Sequence, residues 1–339
     1  MSAFIRIPFE QMKNSFYQTL IKNQFSINDA VTLSNIFAEN SLEGVYTHGV
    51  NRFVRFIEYV QKGYIKPGIQ PVLKNKLGGI EQWDGCLAPG PLNALFAAET
   101  SMKLASANGI GCVSIANTNH WMRGGTYGKL AAEAGFIFIG WTNTISNMPA
   151  WGAVDARLGN NPFVLAVPNE DGAIVLDMAM SQYSYGAMEL AVMKNEPLAY
   201  PGGYTIAGEL TNDPAAILQS RRLLPAGYWK GTGLALLLDI LATVLSGGLS
   251  THQISQREAD YGASQVFIAI DITKLANHST IQTAVKSILD DYSSSLPESA
   301  FAKIIYPGQK AMAIRKQNLA EGIPVAEDIW NEIEAIRKA

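Results

Sequence analysis

Near Gly79 the spacing of apolar residues changes from helical to strand-like, and this switch constrains the fold more than any other feature of the 339-residue chain. Before it, Phe9, Met12, Phe16 and Leu20 recur at helical spacing after Pro8. Ser26 and Asp29 resemble a capping box that opens a second helix through Leu33, Ile36 and Phe37. A third helix carries Phe53, Phe56 and Ile57 and stops at Lys62-Gly63, with Pro67 beyond. The chain up to about residue 70 is therefore expected to be helical.

After the switch, short apolar runs at Gly111–Ala116, Phe136–Trp141, Phe163–Val167, Ile174–Leu176 and Gln265–Ile270 read as strands. Helices separate them, from Pro91 to Ala107 before Asn108-Gly109 and from Thr126 to Ala134 before Gly135. This alternation predicts a layered α/β core. Helical spacing returns from Ile281 to Ala339, through Ala284, Val285, Ile288 and Leu289 and later Ile329, Ile333 and Ile336, and predicts a segment that packs back on the N-terminal helices. A chain this long exceeds one ordinary core. The expected division is a helical part of residues 1–75 packed with 281–339, and an α/β domain of residues 76–280.

Composition narrows the function classes. Hydrophobic residues make up 48% of the chain and charged ones 16%, too apolar for a disordered chain and suited to a compact protein with a subunit interface. The formal charge of −3, with scattered lysines and arginines, offers no basic stripe for a row of phosphates, so nucleic acid is not an expected partner. Cys86 and Cys112 form no C-x-x-C pair, which points to reduced thiols and a cytoplasmic protein. The N-terminus lacks a basic stretch followed by an apolar one and a cleavage site, so no export is expected. The run Gly233–Ser246 is shorter than the ~20 residues a bilayer requires and contains Asp239, so it is expected to be a buried core helix, not a membrane span.

Chemistry concentrates at Tyr46-Thr47-His48-Gly49-Val50-Asn51-Arg52, where an imidazole and a guanidinium stand four residues apart as a helix begins. That pair suits reduction of a 2-oxo acid: the cation clamps the carboxylate while the imidazole protonates the nascent alkoxide. The same residues also allow Thr47 as a helix cap, Arg52 in a surface ion pair and His48 as a core histidine. His120, in Asn117-Thr118-Asn119-His120, follows a strand at its carboxyl end, where α/β proteins place ligands, or is held by backbone in an Asn-rich loop. Asp177 ends a strand, ready to bond ribose hydroxyls or to cap the helix after it. Trp229 and Lys230 bring an aromatic ring and an ammonium just before the apolar run. No G-x-G-x-x-G lies between strand and helix, so a dinucleotide would need a different fold. No metal-ligand spacing, G-x-S-x-G elbow or phosphate loop occurs.

Five blocks stand in one order: Gly44-Val-Tyr-Thr-His-Gly-Val-Asn-Arg-Phe53, Ile80-Glu-Gln-Trp-Asp84, Asn119-His-Trp-Met-Arg-Gly-Gly125, Gly227-Tyr-Trp-Lys-Gly231 and Phe267-Ile-Ala-Ile270. Together they resemble the malate/L-lactate dehydrogenase family along essentially the whole chain. The resemblance implies a three-layer α/β/α fold with a mixed sheet, of the L-sulfolactate dehydrogenase kind and not Rossmann-like, plus a helical domain built from both termini. It implies that His48 is the proton donor, that Arg52 binds the substrate carboxylate, and that His120 lines the active site with Thr47. Cofactor contacts are implied at Thr144, at Ala173, Ile174, Val175, Leu176, Asp177, Met178 and Ala179, at Trp229 and Lys230, and at Gly308, Gln309 and Lys310. Many relatives have Ser where Thr47 stands, which keeps the hydroxyl, and the position of Gln309 varies in charge among them. The implied activity is reduction of the 2-oxo group of a sugar acid with NADH in a homodimer. NADP remains open as cofactor, and malate, lactate, ureidoglycolate or a cyclic imino acid remain open as the family's other substrates. A non-catalytic sugar-acid-binding protein is the alternative of a different kind.

Overall fold

A computed structural model describes residues 4–299 and 302–338. Its centre is a seven-stranded sheet in the order Val72–Leu77, Ile80–Asp84, Ile110–Thr118, Ala263–Asp271, Phe136–Thr142, Phe163–Val167, Ile174–Met178. Only the Ile80–Asp84 and Ile110–Thr118 pair is parallel and the rest are antiparallel, so the sheet is mixed. Alternation along a strand sends neighbouring side chains to opposite layers. On the central Ala263–Asp271 strand, Phe267 joins the core under the helices Gly90–Asn108 and Gly125–Glu133, while Val266 joins the core under the helix Trp229–Ser246. The architecture is α/β/α in three layers.

A third core is helical. Phe16, Phe37 and Phe53, from the helices Phe9–Lys22, Ile27–Leu42 and Val50–Gln61, are fully buried together, and the Phe16 and Phe53 ring centroids lie 4.2 Å apart. Trp330 and Ile333 of the C-terminal helix Glu327–Lys338 complete it. The first described residues are not helical: Phe4–Ile7 pairs antiparallel with Ile323–Ala326, tying one end of the chain to the other. The helix Ile281–Ser293 has no buried residue and takes no part in this core.

The helix Trp229–Ser246 departs from the buried rod its composition suggests. Gly231, Ala235, Leu238 and Ala242 form its buried stripe, whereas Leu234, Leu237, Leu241 and Val244 form a second stripe that is exposed, Val244 by 69%. Both faces are apolar, so periodicity cannot say which one meets the sheet. The small residues decide, because they let the helix approach closely. Asp239 is held inside the fold, accepting from Asn143 Nδ2 at 2.9 Å and from the Thr251 backbone N–H at 2.8 Å.

The sheet presents one functional edge. Thr118 pairs with Ala263, Gln265 with Thr142, and Phe163 with both Trp141 and Met178, so the carboxyl ends of three strands emerge on the same side. His120, Thr144 and the Asp177–Ala179 stretch all leave from there.

Candidate active site

His48 ends a single turn of 3₁₀ helix, Tyr46–His48, directly ahead of the helix Val50–Gln61. Gly49 separates the two, because a Cβ at this position would overlap the Ser41 hydroxyl, which accepts from the Val50 backbone N–H at 2.8 Å. His48 and Arg52 therefore do not share one continuous helical face, as a spacing of four suggests. They flank a break. Asn40 fixes the turn by donating from Nδ2 to the His48 carbonyl at 3.0 Å. Thr47 does not cap a helix; its Oγ1 lies 3.1 Å from His48 Nδ1. Gly186, in the helix Tyr185–Lys194, packs so closely on Thr47 that a Cβ there would overlap it.

His120 is held from the sheet. Asn119 Nδ2 donates to the carbonyls of Tyr64, Leu87 and Ala88 at 3.0–3.1 Å, and the Asn119 carbonyl accepts from Gln265 Nε2 at 2.9 Å. His120 Nδ1 accepts from the Met122 backbone N–H at 3.0 Å, so the neutral ring carries its proton on Nε2. The two imidazoles stack with centroids 5.5 Å apart and planes 25° apart. Arg52 lines the same crevice as His120, together with Arg55, Tyr59 and Asp260. None of the ion pairs among the described residues engages Arg52, Arg55 or Asp260. The free volume of the crevice is about 10 Å³, room for about one water.

Protein crowds both rings although part of each remains open to water. That burial, followed by the fields of Arg52 and Arg123, pushes the His48 imidazole down to about 4. Burial, Arg52 and His48 likewise hold His120 well below its ordinary value. Both rings are neutral at pH 7, and an anion beside Arg52 would relieve one of the fields that keeps them so.

Arg123, whose field reaches His48, lines a second cleft. Glu43, 7% exposed at its side chain, pairs with Arg123, Lys129 and Arg315, and Arg315 also pairs with Glu39. Burial alone would raise the Glu43 carboxyl, but Arg123 and Lys129 outweigh it and hold it below the ordinary carboxylate value. Around this network lies a cleft of about 330 Å³ whose walls include Ala173, Val175 and Gly308. Gly308, at φ +103°, brings its backbone against the strand, where a Cβ would lie 3.2 Å from the Ala173 carbonyl oxygen.

Of the residues expected to hold a cofactor, Ala173, Val175 and Gly308 thus meet in one cleft. Gln309 and Lys310 open the helix Gln309–Glu321 beside it, and Gln309 Oε1 accepts from the Tyr306 backbone N–H at 3.1 Å. Ile174, Leu176 and Met178 lie on the same strand outside that lining, and Asp177 caps a helix, though not the one after it: Oδ2 accepts from the Gly125 backbone N–H at 2.7 Å. Thr144, Ala179, Trp229 and Lys230 line neither crevice. Thr144 is bonded to Asn160 and Asn161, and Trp229 is 63% exposed. Sequence reasoning missed Glu43, Arg55 and Asp260. Arg55 was within reach, since it sits one helical turn beyond Arg52.

Comparison with known proteins agrees with this fold. The family model described as malate/L-lactate dehydrogenase matches residues 7–334. Proteins named 2,3-diketo-L-gulonate reductase in Klebsiella pneumoniae (strain 342) and Citrobacter koseri are each 40% identical over 333 residues, 98% of this chain and 100% of theirs. Among solved structures, the sulfolactate dehydrogenase of Methanocaldococcus jannaschii superposes with a TM-score of 0.89 at 26% identity, covering 98% of this chain and 97% of that one. The malate dehydrogenase of Entamoeba histolytica gives a TM-score of 0.94 at 22% identity, over 99% of this chain and 98% of that one, which speaks for the fold alone. With the family model spanning nearly all of a mixed α/β/α fold that holds paired histidines beside an unpaired arginine, the chain belongs to the malate/L-lactate dehydrogenase family and is an oxidoreductase.

Proposed function

We propose that this enzyme reduces the 2-oxo group of 2,3-diketo-L-gulonate to give 3-dehydro-L-gulonate, with NADH as reductant and His48 as proton donor. The observation that carries the reading is the unpaired Arg52 beside two stacked, neutral histidines, in a chain 40% identical to proteins named for that reaction. Arg52 binds the substrate carboxylate through its planar fork of donors. That carboxylate offsets the guanidinium's field on His48, so the ring takes up a proton as the acid binds and releases it to the oxygen of C2 as the alcohol forms. Thr47 Oγ1 holds His48 Nδ1, which leaves Nε2 to face the reacting oxygen, and His120 Nε2–H is a second donor to the same oxygen.

The cleft around Glu43 and Arg123 suits a dinucleotide, since it combines free volume, the Gly308 backbone at φ +103° and the cation Lys316. When bound, dihydronicotinamide supplies the hydride that reaches C2. Ala173, Val175 and Gly308 are the residues of this chain best placed to hold it, while Thr144, Trp229 and Lys230 are further contacts in the proposal.

The exposed apolar stripe of the helix Trp229–Ser246 supports a homodimer, because monomers rarely leave so long a row of leucine and valine open. Light scattering of the purified chain should give twice the 36.7 kDa of one chain; a strict monomer at micromolar concentration would remove this part. Cytoplasmic placement is proposed on the two free cysteines. The main test compares NADH with NADPH in initial rates of reduction of 2,3-diketo-L-gulonate, oxaloacetate and pyruvate, and NAD+ with NADP+ in oxidation of ureidoglycolate. The highest kcat/KM should fall on 2,3-diketo-L-gulonate with NADH, and a preference for oxaloacetate, pyruvate or ureidoglycolate would replace it with one of the family's other activities.

A further inference from the structure

Along the helix Val50–Gln61, Arg52, Arg55 and Tyr59 stand at spacings of three and four and line one wall of the crevice that begins at His120. Asp260, from the loop ahead of the strand Ala263–Asp271, stands opposite and in the field of both guanidiniums. Its carboxylate makes no ion pair with either. Burial raises the Asp260 carboxyl against the pull of Arg52 and Arg55; in its ionised form it leaves the two cations of the crevice with a single positive charge to be balanced by ligand. Glu189, on the neighbouring helix Tyr185–Lys194, also acts on Arg52, but it is exposed and screened by water.

Taking the reductase reading above as its basis, we infer that Asp260 is a specificity-determining residue that selects 2-oxo acids carrying one carboxylate and a hydroxylated tail and rejects those carrying two carboxylates. A 2-oxo acid seated with its C1 carboxylate on Arg52 extends its remaining carbons along the helix, past Arg55 and toward Asp260. Hydroxyl groups there donate to the Asp260 carboxylate. A terminal carboxylate meets the same oxygen atoms as a like charge, and Asp260 has already offset much of the attraction of Arg55. The discrimination thus comes from a repulsive element as much as from an attractive one.

The test compares kcat/KM for 2,3-diketo-L-gulonate and oxaloacetate, with NADH, in the wild-type enzyme and in Asp260→Asn and Asp260→Glu. Asp260→Asn keeps the shape and removes the charge, so the oxaloacetate to diketogulonate ratio should rise roughly ten- to a hundredfold. Asp260→Glu, which restores the charge, should keep the ratio near the wild-type value. An unchanged ratio in Asp260→Asn, with both rates lowered together, overturns the inference and makes Asp260 a residue that merely positions Arg52. Should Asp260→Asn fail to fold, Arg55→Met carries the same test with the opposite sign: the ratio should drop about tenfold, and a constant ratio overturns the inference. A wild-type enzyme that reduces neither acid sinks the reductase reading and this inference with it, an outcome distinct from an active enzyme whose ratio does not move.

Discussion

The crevice lined by Arg52 and His120 and the cleft around Glu43 treat charge in opposite ways. Among the described residues, Arg52 and Arg55 of the crevice have no ion-pair partner, and burial together with the field of Arg52 holds both His48 and His120 below the ordinary imidazole value. In the cleft, Arg123, Lys129 and Arg315 are all engaged by Glu43 or Glu39. An unpaired buried cation costs stability, and a group kept at that cost in a crevice marks a candidate ligand site. The paired cations of the cleft tie the helix Ile27–Leu42 and its C-terminal end at Glu43 to the helix Gly125–Glu133 and to the helix Gln309–Glu321. Charge is left open in one region and is closed by carboxylates in the other.

The sharpest way to break this contrast is to remove the imidazole on the chemical side. His48→Ala should lower kcat by roughly 10²- to 10⁴-fold, the range expected for loss of a general acid. NADH affinity, measured by fluorescence titration, should change little, because His48 does not line the cleft around Gly308. A variant that retains near-normal turnover would transfer the donor role to His120 and leave His48 as packing.

On the structural side, Glu43→Gln keeps the volume and leaves Arg123 without its partner at a site where both side chains are at most 10% exposed. Breaking a buried pair on one side costs about 3–5 kcal/mol, read as a lower midpoint in denaturant unfolding. The counterpart is Arg52→Met, which removes an uncommitted cation: stability should hold or improve while KM for the 2-oxo acid rises. The pH dependence follows with its own sign. Because Glu43 titrates below its ordinary 4.5 in the folded chain, it adds stability above that pH, and this is lost as pH falls through its lowered value. Glu43→Gln should flatten that acid limb. Equal stability losses in Glu43→Gln and Arg52→Met would erase the distinction between the two regions.

The two regions also differ in how far the chain discloses them. The crevice was legible because His48 and Arg52 lie within five residues and His120 follows a clear strand end, although the helical spacing concealed the break at Gly49. The cleft was not legible from local pattern. Arg315 and Glu39 are 276 residues apart, and Arg123 and Glu43 are 80 apart, so no window of sequence contains both partners. Its expected wall at Ala173, Val175 and Gly308 came through resemblance alone. The five strand runs lay where alternation put them, within one or two residues at their ends. The strand Phe4–Ile7 escaped because its partner, Ile323–Ala326, stands at the far end of the chain. The outward stripe of the helix Trp229–Ser246 escaped for another reason: an all-apolar helix has no polar face to mark the side that is left open.

The smallest expected effect is also the most diagnostic of charge left for the ligand. In the free enzyme the His48 ring titrates at about 4, depressed by burial and then by Arg52 and Arg123. Reduction needs the protonated ring, and kcat/KM reports the free enzyme, so kcat/KM should climb as pH is lowered through the neutral range and level off only near that value. Oxidation of the 2-hydroxy acid needs the neutral ring and should be level above it. In the ternary complex the substrate carboxylate offsets Arg52, which raises the ring's pKa, so the kcat profile for reduction should turn at a higher pH than the kcat/KM profile. Arg123, paired with Glu43, is expected to contribute no such shift. In Glu43→Gln its field on His48 is no longer offset, so both turning points should move to lower pH while the gap between them persists. Coincident profiles in the wild-type enzyme would mean that the carboxylate does not sit on Arg52, and the cation would then belong with those of the cleft.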